Sequence, residues 1–335
     1  MGRSKRAFLS LGIVAAVGCS STPPPQDPVL TADPPVGGAE GLSSGTANTE
    51  VQRAIQYVKN GSYAEAKEHA EKALAEKPDH PEATFLMGVA VEHLGDKKAA
   101  EDWYKKTLKI DPGMVDASLN LGALYLDPPP RPDDAIAVLK AAAEKAPAAF
   151  DIQSNLAYAY SLKNDFANAS KAYDAALAVK EDVDTRYAYG ALLIDAKELP
   201  RAAEQLKKAL DGTKDAALAA KLGHLLGEAQ AWSDCVRAFD LALSAKKEPD
   251  LLVRRGACKH GTKEEESARA DYEEAIKLDP KFATAYYYLG MSYSEEKKNR
   301  ANALLTLDKA AKVGANTEIG KRAKAEYDKL ARQKP

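Results

Sequence analysis

The chain has 335 residues, and its 47 Lys+Arg against 49 Asp+Glu leave a formal net charge of −2. This balance lacks the basic excess expected of a nucleic-acid binder. Hydrophobic residues make up 45% and charged residues 29%, the composition of an ordinary globular chain; three cysteines cannot build a disulfide-stapled scaffold, and no apolar run is long enough for a membrane-spanning helix.

The chain opens with Arg3, Lys5 and Arg6, followed by an apolar run from Ala7 to Val17. A short apolar stretch behind a basic start reads as a secretion signal rather than a membrane span. Its ending, Ala16-Val17-Gly18-Cys19, resembles the lipobox of bacterial lipoproteins, with Ala16 where that family usually has Leu. The resemblance implies cleavage after residue 18 and acylation of Cys19, and more than one acyl chain anchors stably. Ser20 in place of an aspartate after the cysteine implies, by the same resemblance, the outer membrane.

Residues 19–46 form the second element. Six prolines and four glycines fall between Ser20 and Thr46, including Pro23-Pro24-Pro25, Pro34-Pro35 and Gly37-Gly38. So little apolar content cannot offset the entropy of ordering. The segment is expected to be a tether with a reach of about 30 Å, or alternatively a Pro-rich ligand.

From residue 47 onward one unit recurs eight times. A small residue stands at Ala54, Gly88, Gly122, Ala157, Gly190, Gly223, Gly256 and Gly290. A second column is Ala66, Ala100, Ala135, Ala169, Ala202, Cys235, Ala268 and Ala303, and a third is Ala73, Thr107, Ala142, Ala176, Ala209, Ala242, Ala275 and Ala310. Between these two lies a bulky residue: Tyr104, Leu139, Tyr173, Leu206, Phe239, Tyr272 or Leu307, with Ala70 the exception. Small, large and small at spacings of four and three share one helix face. Gly61, Gly95 and Asn164-Asp165 fall where a first helix must end, and Pro78, Pro112, Pro147 and Pro280 close second helices. Each unit of about 34 residues is therefore an antiparallel helix pair that buries its apolar face only by stacking on its neighbours.

These residues resemble the tetratricopeptide repeat. Leu121-Gly122, Tyr125, Ala135, Leu139, Ala142 and Pro147 follow its pattern, as do Ala268, Tyr272, Ala275, Pro280, Leu289-Gly290 and Tyr293. The implied fold is all-α: a right-handed α-solenoid of about eight hairpins over 47–314, with repeats starting near 47, 81, 115, 150, 183, 216, 249 and 283. Residues 315–335 carry a charged helix, expected to cap the stack.

No HExxH, phosphate-binding Gly-rich loop or Gly-x-Ser-x-Gly is present, so no catalytic residue is assigned and the chain is expected not to be an enzyme. His69, His80, His93, His224 and His260 are scattered. Cys258 and His260 with His224 are the nearest approach to a metal set, but solvated histidines are the simpler reading, and neither metal nor cofactor is expected. Cys235 and Cys258 fall on neighbouring helices, either bridged or present as two buried small hydrophobes. The segment Asp127–Asp134, with Pro128-Pro129-Pro130, is a rigid protrusion able to contact a partner, or simply a stiff turn.

By resemblance, the first helix of each repeat lines a concave groove. The groove positions here include Phe85, Val89, His93, Leu119, Asn120, Asn155, Tyr158, Tyr187, Tyr287 and Met291, about half of which are expected to pack inward instead. The carboxylate-clamping Lys and Asn of some family members are replaced by Leu119 with Ala123 and Ser154 with Tyr158. The resemblance thus implies an interaction scaffold facing the periplasm, with protein partners in the cell envelope, membrane contact through the lipid alone and no nucleic acid. Pilus-secretin or gliding-motility assembly is the leading expectation. An adaptor for peptidoglycan-remodelling enzymes is the alternative, and an enzyme with an unrecognised groove site is the reading from another class.

Overall fold

The computed structural model describes residues 46–333. The signal segment, Cys19 and nearly all of the tether lie outside the described residues.

Among the described residues the chain runs through seventeen α-helices with one short 3-10 turn, Lys297–Asn299, and no strand. Eight hairpins follow one another: α1 (Thr46–Lys59) with α2 (Tyr63–Glu76), α3 (Pro81–His93) with α4 (Lys97–Ile110), α5 (Val115–Leu126) with α6 (Pro132–Lys145), and α7 (Phe150–Leu162) with α8 (Phe166–Val179). The second half pairs α9 (Val183–Asp195) with α10 (Leu199–Asp211), α11 (Ala216–Glu228) with α12 (Trp232–Ala245), α13 (Pro249–Gly261) with α14 (Glu265–Leu278), and α15 (Ala283–Ser294) with α16 (Arg300–Val313). The last helix, α17 (Glu318–Arg332), packs on α15 and α16. Helices touch their hairpin partner and the next repeat, so the architecture is an all-α solenoid.

The small-large rule has a direct steric basis. A methyl placed on Gly122 would lie 2.5 Å from Leu139, one on Gly190 2.5 Å from Leu206, and one on Gly223 2.9 Å from Phe239. Gly88 meets Tyr104 and Gly290 meets Leu307 in the same way. The bulky side chain of each second helix thus fills the notch left in the first helix of its own repeat. In repeat one the pair is Ala54 with Ala70, both fully buried, so two small residues share the contact.

Six hairpin turns share one design. Gly61, Gly95, Asn164, Lys197, Gln230 and Lys263 all have φ between 56° and 93°. Just beyond each, an N–H closes back over the helix end: Ser62 to the Tyr57 carbonyl, Asp96 to Val91, Asp165 to Tyr160, Glu198 to Leu193, Ala231 to Leu226 and Glu264 to Lys259. This is the Schellman closure, which favours glycine, yet three of the six positions carry lysine or glutamine. Repeat three turns differently, through Pro128-Pro129-Pro130, with the Arg131 N–H donating to the Tyr125 carbonyl at 2.7 Å.

Where repeats five and six lack a closing proline, other residues mark the boundary. Asp215 Oδ1 accepts from Ala217 N at 2.7 Å and Leu218 N at 3.2 Å, capping α11, and Pro249 occupies the first turn of α13.

Candidate partner-binding surface

The first helices divide unevenly between interior and surface. In α3 every side chain from Ala83 to Val91 is buried, and α5 and α7 are buried over most of their length. Eight of the ten groove residues assigned by resemblance, Phe85, Val89, Leu119, Asn120, Asn155, Tyr158, Tyr287 and Met291, are therefore buried. His93 and Tyr187 are half-buried. Phe85, Val89, Leu119 and Tyr158 belong to the largest apolar cluster of the molecule. Phe85 leans on the Tyr104 ring with centroids 6.0 Å apart, and Tyr287 meets Tyr288 edge to face at 5.5 Å. His93 stacks on Tyr63 at 3.8 Å.

Repeats five to seven, with Tyr288 of repeat eight, leave more of this face accessible than repeats two to four. Tyr187, Ala191, Ala220, His224, Arg254, Ala257 and Tyr288 are partly exposed at positions equivalent to the buried ones in repeats two to four. Ala191 and Ala257 stand where repeats two and four carry Val89 and Tyr158, and Ala220 stands where repeats two and three carry Phe85 and Leu119. His224 lies 3.5 Å from Glu228, and Arg254 donates to Asp250 at 2.6 Å.

A buried polar chain supports the inner helices of repeats two and three. Tyr104 O–H donates to Glu92 at 2.5 Å, and the Asn120 amide donates to the Tyr104 oxygen at 3.5 Å. Burial raises the Glu92 carboxyl above the usual range, partly countered by the Tyr104 hydrogen bond. Burial and the neighbouring Glu92 charge push the Tyr104 phenol well up. Burial likewise pushes Tyr173 and Tyr287 to about 12. These tyrosines stay neutral and act as packing and hydrogen-bonding groups.

The proline segment is pinned rather than free. Lys97 donates to Asp127 at 2.6 Å, Arg131 reaches Glu101 at 3.0 Å and lies 4.1 Å above the Tyr125 ring, and Lys163 pairs with Asp133. These contacts tie it to repeats two and four and leave Pro128, Pro129 and Pro130 exposed.

Cys235 on α12 and Cys258 on α13 are joined in a disulfide, their Cα atoms 5.9 Å apart. Cys258 is thereby removed from any metal set with His224 and His260. A depression of about 500 Å³ between α8 and α10 is lined by Phe166, Lys171, Asp174, Glu198 and Arg201 among others. Within it Arg201 donates to Glu198 and to the Tyr189 oxygen, each at 2.5 Å, and lies 3.9 Å from Asp174.

Comparison with known proteins identifies the repeat. Tetratricopeptide-repeat models match residues 51–115 and 150–183, and a TPR repeat model matches residues 264–295. No curated protein matches the chain significantly. Among solved structures, a tetratricopeptide repeat protein from Parabacteroides merdae is similar at 16% identity with a TM-score of 0.50, over 74% of this chain and 99% of that one. Yeast Tom70 is 15% identical with a TM-score of 0.45, over 90% of this chain and 67% of that one. MamA from Desulfovibrio magneticus is 24% identical with a TM-score of 0.46, over 50% of this chain and 95% of that one. The chain is thus a solenoid carrying tetratricopeptide repeats, a fold whose stacked hairpins present extended surfaces to other proteins.

Proposed function

We propose that the protein is a non-enzymatic interaction scaffold, held at the outer membrane by a lipid on Cys19 and facing the periplasm, that serves in assembly of an envelope machine. The observation that carries the scaffold reading is the unbroken run of eight hairpins, whose large surface suits protein recognition better than a reaction centre. Two features support the compartment. The Ala16-Val17-Gly18-Cys19 ending suits lipidation, and the Cys235–Cys258 disulfide suits an oxidising environment. The partner-facing surface is the open stretch of repeats five to eight around Tyr187, His224, Arg254 and Tyr288, and a pilus-secretin or gliding-motility complex is the partner class proposed.

Two experiments test this. Crosslinking of the full chain in whole cells, followed by identification of what is captured, is expected to return envelope-machine components. Recovery of cell-wall hydrolases would move the role to peptidoglycan remodelling, and turnover of a wall or peptide substrate by the purified chain would replace the scaffold with an enzyme. Cys19→Ala is expected to release the protein from membranes. Continued membrane partitioning would remove the anchor.

A further inference from the structure

Three helix ends meet where repeat seven joins repeat eight. His260 stands in the last turn of α13, Glu265 opens α14, and Glu295 follows α15. The His260 ring lies between the two carboxylates, with Nδ1 2.9 Å from Glu265 Oε2 and Nε2 3.7 Å from Glu295 Oε1. One ligand atom from each of the three lies within 4.8 Å of the others. We propose that His260, Glu265 and Glu295 form a binding site for a divalent transition-metal ion of the zinc type, which ties repeat eight to repeat seven.

The donor chemistry fits. One imidazole and two carboxylates form a borderline-hard set suited to zinc, manganese or ferrous iron. Metal–ligand bonds of about 2.1 Å place neighbouring ligand atoms about 3.0–3.4 Å apart, and the His260–Glu265 separation is already near that. Because one His260 nitrogen alone binds the ion, ligand atoms now within 4.8 Å of one another have to close by up to about 1.4–1.8 Å, and the Glu295 side chain, 43% exposed, is free to rotate.

The charge balance fits as well. Glu265 and Glu295 bring two negative charges, and the third nearby acid, Glu296, is matched by Arg269 at 2.6 Å. Ser292 Oγ, 3.5 Å from Glu265 and itself held by Arg269 Nε at 3.0 Å, supplies the outer contacts that orient a ligand. The partial exposure of all three side chains leaves room for water to complete the coordination.

The test is calorimetric titration of the full chain with zinc chloride at neutral pH in a non-chelating buffer. One ion per chain is expected, and the unfolding midpoint rises with zinc by mass action. Glu295→Gln and His260→Gln are each expected to weaken binding at least about 10-fold, by analogy with the loss caused by disturbing outer-shell partners, and to abolish the zinc-dependent rise. His69→Gln, which alters the separate His69–Glu50 pair, is expected to leave binding unchanged. Circular dichroism checks that each variant is folded, and exposed Glu295 provides a variant with little effect on packing. Absence of saturable binding, or binding equally tight in Glu295→Gln and His260→Gln, would overturn the site. Neither result bears on partner capture or membrane anchoring.

Discussion

The steric rule that builds each hairpin predicts a specific non-additivity. In wild type, a methyl on Gly122 would sit 2.5 Å from both Cγ and Cδ2 of Leu139, a side chain with no exposed surface. Overpacking of this kind costs about 1–3 kcal/mol, while Ala in place of Gly in a helix interior returns about 1 kcal/mol. Gly122→Ala should therefore destabilise by roughly 0–2 kcal/mol. Leu139→Ala should cost about 2–5 kcal/mol through lost burial and the cavity left behind. In the double variant the new methyl points into that cavity, so the clash disappears and the helix gain remains. The same Gly122→Ala change should then stabilise by about 1 kcal/mol, giving a coupling energy of roughly 1–3 kcal/mol. Repeat one already holds this arrangement in Ala54 and Ala70. Urea unfolding of the four proteins, followed by circular dichroism, measures the cycle. If Gly122→Ala changes stability equally in both backgrounds, within about 0.5 kcal/mol, the notch-and-knob account of the repeat is wrong.

Three other outcomes are expected. Lys197→Gly, Gln230→Gly and Lys263→Gly should each stabilise by about 0.5–1 kcal/mol, because a left-handed backbone costs a side-chain-bearing residue about 1–2 kcal/mol, partly offset by the entropy glycine adds to the unfolded chain; the midpoint of thermal unfolding reports it. Reducing the Cys235–Cys258 bridge, which closes a 23-residue separation, should remove roughly 3 kcal/mol on the chain-entropy model, measured as a lower urea midpoint with dithiothreitol that a Cys235→Ala, Cys258→Ala double variant does not show. Burial lowers the His80 pKa below 6.5, so this group contributes stability above the unfolded value that is lost as pH falls through 6.5 towards the folded one; His80→Asn should show a shallower stability loss between neutral and mildly acidic pH.

The hairpins are legible in the sequence because the Gly122–Leu139 type of contact lies within one repeat and depends on residue size. Gly61, Gly95 and Asn164 announce their turns for the same local reason. Lys197, Gln230 and Lys263 do not, since no local preference places them in the left-handed region, and the two helices flanking each turn impose it. The groove residues illustrate a different limit. Repeat position tells which helix carries Leu119 or Tyr158, but accessibility depends on everything packed over that face, and both are buried. The disulfide was half visible: the repeat register puts Cys235 and Cys258 on adjacent helices, but their 5.9 Å separation is a three-dimensional fact. His260, Glu265 and Glu295 are gathered only by the convergence of three helix ends, and no spacing motif marks them.

The apolar core falls into three clusters. The largest cluster runs from Val51 to Phe239 and includes Cys258. A second comprises Leu243, Leu252, Tyr272 and Leu289 among others, and a third comprises Tyr287, Met291, Leu307 and Ala323. Within repeat seven α13 is rich in charge, and Asp271 of α14, buried, accepts from Arg255 Nη2 at 2.7 Å and from Lys259 at 2.9 Å. Leu243 of repeat six packs with Leu252 and Val253 of repeat seven, and the disulfide adds a covalent link between the same two repeats. The second cluster reaches Ala285 and Leu289 of α15, so it joins repeat seven to repeat eight, and the division from the third falls within α15; His260, Glu265 and Glu295 converge beside that joint. A solenoid holds together only as well as its weakest interface, because each repeat contacts its neighbours alone. The disulfide and the His260, Glu265 and Glu295 cluster therefore reinforce two successive interfaces that apolar side chains also pack, in the C-terminal half of the solenoid.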